Sequence, residues 1–195
     1  MDLSKIRKRL EKNGFTVSCF ARANEAAEYL EQSLRGETIG FGGSVTLRDM
    51  GLYERLGKNN TVIWHWKTPE ARNRYPEFTA YLTSVNAASE TGELVNIDGA
   101  GNRVAASIFG PKKVFFILGS NKVRPDLASA IDRARNVASP LNAKRLERKT
   151  PCVASGKCHD CSSPERICGV MSIHMRPLIG AERSEVVLIE EPLGY

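Results

Sequence analysis

The sequence predicts an α/β fold with a mostly parallel sheet covered by helices. Two observations carry that class. Short β-branched or apolar runs alternate with segments of helical periodicity between residues 2 and 66, and the second run passes through a double glycine straight into a helix. Such alternation builds βαβαβ units, whose ligands lie outside the carboxyl ends of the strands. At 195 residues, 42% of them hydrophobic, the chain is long enough for one domain with a substantial core.

Leu3, Ile6 and Leu10 recur at spacings of three and four and Asn13-Gly14 supplies a stop, so residues 2–13 read as an amphipathic helix. Phe15 to Phe20 is the first strand, with Cys19 expected as a buried core thiol. Asn24 is positioned to cap a second helix, which carries Leu30 and Leu34 on one face and ends at Gly36. Thr38 to Phe41 is the second strand. Gly42 and Gly43 then let the backbone turn, and Ser44 or Thr46 caps the next helix, Thr46 and Asp49 having capping-box spacing. A glycine loop entering a helix offers free N–H groups at the positive end of a helix dipole, which suits phosphate or carboxylate. An ordinary capped turn fits the same residues. The motif is neither G-x-G-x-x-G nor G-x-x-x-x-G-K-[ST], so no nucleotide is assigned.

Thr61 to Trp66 is a third parallel strand, with His65 read as a packing residue between two tryptophans. Residues 67–77 hold two prolines and read as a loop, followed by a strand at Tyr81 to Val85. Around the apolar run Leu94 to Ile97, Asp98, Asn102 and Arg103 sit beside Gly99 and Gly101. This places an acceptor, an amide and a guanidinium on a turn where backbone can approach a ligand, although a polar hairpin turn would look alike. Lys113 to Leu118 is a central buried strand ending in Gly119-Ser120-Asn121-Lys122. Pro125 and Asp126 open a helix with Leu127, Ala130, Ile131, Ala134 and Val137 at core spacing, and Pro140 starts another as far as Arg148. Met171 to Met175 and Val186 to Ile189 read as short closing strands, with His174 on the surface.

From Thr150 the texture changes. Cys152, Cys158, Cys161 and Cys168 follow the pattern C-x5-C-x2-C-x6-C, in a chain with only one other cysteine. Four thiolates on one loop can surround a metal centre, the C-x2-C pair being the usual chelating nucleus. A four-iron iron–sulfur cluster, a structural zinc and unmetallated thiols all remain open. The spacing matches neither a zinc ribbon nor the bacterial ferredoxin run, and His159 could replace one thiolate.

Charge and composition exclude some classes. No apolar run approaches the roughly 20 residues of a membrane-spanning helix, so no membrane insertion is expected. The N-terminus has a basic helical pattern without an apolar h-region, and a cytoplasmic location follows as an expectation. A formal charge of +6 raises nucleic acid as a partner, yet the basic residues are interleaved with Asp and Glu and accompany no recognised nucleic-acid motif. A solvated surface accounts for them.

The segments GFGGSVTLRDMGLYERL, LTSVNAASETGELVNIDGAGNRVAASIFGPKKV, GSNKV and TPCVASGKCHDCSSPERICG carry a resemblance. Through them the chain resembles the LUD (lactate-utilisation) domain family over nearly its full length. The resemblance implies a single domain over 1–195 with a cysteine-rich segment at 150–169. It also implies a three-layer α/β sandwich with a mostly parallel central sheet, like ribose-5-phosphate isomerase, glucosamine-6-phosphate deaminase and CoA transferases. Those relatives hold a phosphate or CoA group on the corresponding glycine loop. By that match Gly42, Gly43, Ser44 and Thr46 form an anion loop, and Asn86, Asp98, Asn102 and Arg103 the facing wall. No residue matches a transferase glutamate or an isomerase acid/base pair, so no catalytic residue is assigned. Family members are linked with oxidation of lactate to pyruvate in complexes whose other subunits carry iron–sulfur clusters. The function implied is an accessory subunit in lactate or related hydroxy-acid utilisation that binds a small anionic metabolite, holds a cluster on its cysteine segment and works beside iron–sulfur redox partner subunits. A stand-alone sugar-phosphate isomerase or CoA-transferase-like enzyme, and a non-catalytic regulatory or assembly module, are the alternatives. The chain has no flavin or nicotinamide fingerprint, so a hydride acceptor would come from elsewhere.

Overall fold

The structure, a computed structural model, describes residues 3–195. The strands are β1 (Thr16–Phe20), β2 (Thr38–Phe41), β3 (Thr61–Trp64), β4 (Ala80–Thr83), β5 (Ala87–Ser89), β6 (Leu94–Asp98), β7 (Lys113–Gly119), β8 (Val123–Arg124), β9 (Val170–His174) and β10 (Arg183–Ile189). The helices are α1 (Ser4–Lys12), α2 (Ala23–Ser33), α3 (Val45–Asp49), α4 (Leu52–Leu56), α5 (Asn102–Ile108), α6 (Leu127–Arg133), α7 (Ser139–Arg145) and α8 (Pro151–Ser155). Short 3-10 helices cover Pro69–Glu77 and Ser120–Lys122.

Six strands form an all-parallel sheet in the order β1-β10-β7-β4-β2-β3. One face buries Ile39, Leu82, Phe115, Ile117 and Val187 against Ala27 and Leu30 of α2, Leu47 of α3 and Leu52 of α4. The other buries Tyr81, Val114, Phe116, Val186 and Leu188 against α1, α5 and a second sheet. That smaller sheet runs β8-β5-β6-β9, with β6 antiparallel to both neighbours, and α6 packs on its outer side through Ala130. The layering is the expected three-layer sandwich, with the small sheet sharing the third layer. No helix among the described residues is long and apolar enough to cross a membrane.

Several local expectations are corrected. Residues 186–189 do not close the fold at its edge. β10 lies between β1 and β7, and its unbroken run Val186 to Ile189 is that of a parallel strand buried on both faces. β1 is the edge instead, so Cys19 is exposed rather than a core thiol. α2 is capped at Arg22, whose N–H donates to Glu25 at 3.2 Å, and Asn24 sits inside the first turn. Residues 127–145 form one continuous helix, with a π turn at Ala134–Ala138 between α6 and α7. Pro140 has no N–H to donate and the hydroxyl of Ser139 donates to Ala134 O at 2.8 Å, which together widen the turn. The widening shifts the core register to Ala130, Ala134 and Ala138 and turns Val137 outward.

Two buried polar groups brace the layers. Glu185 of β10, fully buried, accepts from Ser18 of β1 at 2.7 Å and from Tyr29 of α2 at 2.8 Å, and pairs with Arg183 at 2.5 Å. His174 is buried too, not a surface residue. Its ring packs 4.9 Å from Phe116 and its Nε2 lies 3.4 Å from Ser107 Oγ.

Burial pushes His174 down from 6.5 to about 4, so it is neutral in the fold at pH 7. As pH falls between 6.5 and 4 the unfolded chain takes up the proton first, and stability should fall by roughly 3 kcal/mol across that window. Urea unfolding at pH 7, 5.5 and 4.5 checks this, and His174→Phe should flatten the response. A Cβ at Gly40 would lie 2.1 Å from the Phe78 ring, which stacks on Tyr81. Gly40→Ala is expected to cost about 2 kcal/mol in the same assay, with part recovered in the double variant Gly40→Ala/Phe78→Leu.

Candidate functional site

A cavity of about 500 Å³ opens at the carboxyl ends of β2, β4 and β7, where the parallel topology places ligands. The glycine loop forms one wall. Gly43 faces the cavity, and a Cβ there would meet the rings of Trp66 at 3.2 Å and His65 at 3.4 Å. Gly42 does not line the cavity. Its missing side chain makes room for Thr83 Oγ1 and the Tyr81 hydroxyl, and its carbonyl accepts from Trp64 Nε1 at 3.1 Å. Ser44, not Thr46, is the N-cap of α3, its Oγ accepting from Leu47 N–H at 3.2 Å. With only five residues α3 has a short run of aligned peptide dipoles, so charge at this site comes from side chains.

The facing wall is the β4–β5 turn and the entry to α5. Asp98 uses its carboxylate as a cap: Oδ1 accepts from Gly99 N–H at 2.9 Å, and Oδ2 from Arg103 N–H at 3.0 Å and Val104 N–H at 3.3 Å. Asn86 Oδ1 accepts from Ile97 N–H at 2.7 Å and from Arg103 Nη2 at 3.4 Å. Asn86 and Asp98 therefore aim Arg103, whose Nη2 also donates to Ile97 O. Arg103 Nε is buried without a hydrogen-bond partner. Asn102, first residue of α5, stands on the rim. Gly43, Ser44, Thr46, Asn86, Asp98, Asn102 and Arg103 thus line one cavity, and Gly42 lies behind it.

The floor is Lys122, which lies in the segment GSNKV but outside the eight residues that the resemblance assigns to the site. Its ammonium donates to Thr46 Oγ1 at 2.9 Å and to Ser84 Oγ at 2.8 Å, is 3% exposed, and has no carboxylate within ion-pair distance among the described residues. Burial, then the charges of Arg133 and Arg103, push it down to about 7 against the opposing pull of Asp49. Its signal in the sequence is positional: a polar residue just past a buried strand that ends at the ligand edge. Arg133 of α6 positions the floor, donating Nε to Asn121 O at 3.0 Å and Nη1 to Asn86 O. Burial and the neighbouring Arg124 push Arg133 down to about 10.

Arg145 of α7 lies 4.7 Å over the Trp66 ring and donates to the Tyr195 hydroxyl at 2.8 Å. Arg72, Arg148 and Arg166 complete the rim, giving six cationic side chains against two carboxylates, Asp98 and Glu165. Arg72, Arg103, Lys122, Arg145 and Arg148 make no ion pair among the described residues. His65 is half-buried and lines the cavity besides packing edge-on to Trp66, and burial with the nearby Arg72 charge lowers its pKa.

The four C-terminal cysteines are free and line a second cavity, of about 250 Å³. Cys158 Sγ receives the Asp160 N–H at 3.4 Å and Arg135 Nη2 at 3.7 Å, and Cys152 Sγ is 3.2 Å from Thr150 Oγ1. Burial raises the Cys168 pKa. His159 bonds Ser155 Oγ at 2.6 Å. Among the described residues no three His, Cys, Asp or Glu side chains are grouped to hold a metal ion. Ile97, Ser139 and Arg166 line both cavities.

One solved structure shares this outline over nearly the whole chain. A DUF162 family protein from Deinococcus radiodurans aligns over 96% of this chain and 95% of its own, with 12% identity and a TM-score of 0.56. Ribose 5-phosphate isomerase A from Neisseria gonorrhoeae aligns over 54% of both chains at 19% identity and a TM-score of 0.37. The eIF2B beta subunit from Chaetomium thermophilum aligns over 55% of this chain and 44% of its own, at 15% identity and a TM-score of 0.39. No match is found among curated proteins. The family model described as LUD domain matches residues 3–189, and the chain belongs to the LUD domain family.

Proposed function

We propose that the cavity at the Gly43 loop binds a small anionic metabolite, a phosphate or carboxylate, and that the chain is an accessory subunit in lactate or related hydroxy-acid utilisation, with a metal centre in its cysteine segment. One observation carries the binding reading: Lys122 is buried at the floor with hydroxyl partners and no counter-ion. A buried ammonium without an opposite charge is costly, and an entering anion supplies that charge. Arg103 adds a planar fork whose Nε has no other partner, a match for two oxygens of a carboxylate or phosphate. The family's link with lactate supports the metabolic setting.

A second reading, a stand-alone isomerase or transferase, has one observation in its favour. An amine that titrates near pH 7 at a cavity floor can give and take protons. Turnover of ribose 5-phosphate or an acyl-CoA by the purified, metal-free chain would favour this reading over the first.

Calorimetric titration with phosphate, L-lactate and pyruvate tests the binding. Gly43→Val should weaken the best of these at least about tenfold by filling the approach, with melting temperature as the control for folding. Lys122→Met should remove roughly 2 kcal/mol of binding, about 30-fold. Binding should also weaken as pH rises through about 7, by up to about tenfold per unit, because only protonated Lys122 attracts the anion. Lys122→Met should lose that dependence. Equal affinity in parent and both variants would place the anion elsewhere.

A further inference from the structure

We infer that Cys152, Cys158, Cys161 and Cys168 hold a four-iron, four-sulfide cluster, and not a zinc ion. The inference rests on reading the segment as a metal centre and names the group that fills it. The geometry of the void separates the two metals. A zinc ion bonds each sulfur at about 2.3 Å, so a tetrahedral site draws four sulfurs to within about 3.8 Å of one another and leaves no space between them. Here the thiols line a cavity of about 250 Å³, and no three ligand side chains among the described residues are grouped for one ion. A cluster brings its own sulfides and stands between thiolates that are held apart.

The walls suit that occupant. Ile97, Val170 and Met171 supply apolar surface, and the one carboxylate on the wall, Asp160, is turned to Arg166 at 3.1 Å and Arg135 at 3.4 Å. Four thiolates around a core of charge +2 carry a net charge of −2, and the guanidiniums of Arg135 and Arg166 lie on the same wall. Donors already point at sulfur. Asp160 takes a left-handed conformation, with φ of 46°, inside the C-x2-C loop. That turn aims its N–H at Cys158 Sγ and carries the chain on to Cys161. Such N–H···S contacts help to set the reduction potential of a cluster.

The loop is also fastened where a rigid cage needs it. Gly169 N–H donates to Asp98 O at 2.9 Å, and a Cβ on Gly99 or Gly169 would strike the opposing backbone at 2.8 or 2.9 Å. Cys158 N–H donates to Asn136 Oδ1 at 3.0 Å on the π turn. Residues outside the loop therefore position the Cys158 and Cys168 ends of the cage.

The test is iron, zinc and acid-labile sulfide analysis of the full chain, purified anaerobically and again after incubation with ferrous iron, sulfide and a thiol. The inference expects about four irons and four sulfides per chain and broad absorption at about 400 nm that bleaches when dithionite adds one electron. That electron should bring up a paramagnetic resonance signal. Cys158→Ser and Cys161→Ser should each lose more than half the iron, and Cys19→Ser none. One zinc per chain without labile sulfide would overturn the cluster and leave the metal centre standing. Neither metal in either preparation would overturn both, whatever the folding of the serine variants.

Discussion

Seven residue pairs, from Arg183↔Lys113 to Ile189↔Gly119, join β10 to β7 in the middle of the parallel sheet, and both strands deliver their carboxyl ends to the cavity. The segment leaving each strand becomes part of the site. β7 leads into the 3-10 turn that carries Lys122, and β10 leads to Leu193, whose carbonyl accepts from Thr46 Oγ1 at 3.4 Å, and to Tyr195 on the cavity wall. The two exits run so close that a Cβ on Gly119 would lie 2.5 Å from Glu191 O and from Leu193 N. Any slip in that register would move Lys122 and the tail relative to each other, which is why the pairing governs the floor and one wall together.

The field inside the cavity is a product of crowding. Lys122 lies below the surface, and Arg133 and Arg103 raise the cost of its charge. The fold tolerates this through uncharged acceptors: Thr46 and Ser84 for Lys122, and the backbone carbonyls of Asn121, Asn86 and Ile97 for the two guanidiniums. Acceptors of this kind satisfy N–H groups without cancelling the positive potential. Of the two carboxylates on the cavity wall, Asp98 is employed in capping α5.

Features written in neighbouring residues are legible in the sequence. Strands β1 to β4 and β7, the glycine loop and the cysteine cluster each announce themselves within a window of about twenty residues. Seven of the eight proposed anion-wall residues line one cavity for that reason, since the strand-to-loop exits of a parallel sheet converge. The features that stay hidden depend on long-range contacts. Lys122 is one basic residue among 28 in the sequence, and only its burial between Thr46 and Ser84 distinguishes it. Arg133 and Arg145 read as a solvated helix face until the folded helix places one under the floor and the other on Trp66. His174 and Cys19 depart from expectation in opposite directions although both lie on edge strands, because strand sequence does not say which face another layer will cover.

The π turn at Ala134–Ala138 separates contacts to two cavities on a single rod of helix. Ahead of it Arg133 braces the floor of the first cavity. The turn itself presents Arg135 and Asn136 to the cysteines, and beyond it Asn142 and Arg145 return to the cavity. Each residue added to or removed from a helix rotates the remainder by about 100°. Trimming one residue from α6 would rotate everything beyond the cut, carrying Ala138 and Ala143 out of the core and Arg145 off Trp66. The helix should consequently accept substitutions on its outer face, as at Val137, far more readily than a one-residue deletion, and a change in its length would be felt first as lost alignment between the two cavities.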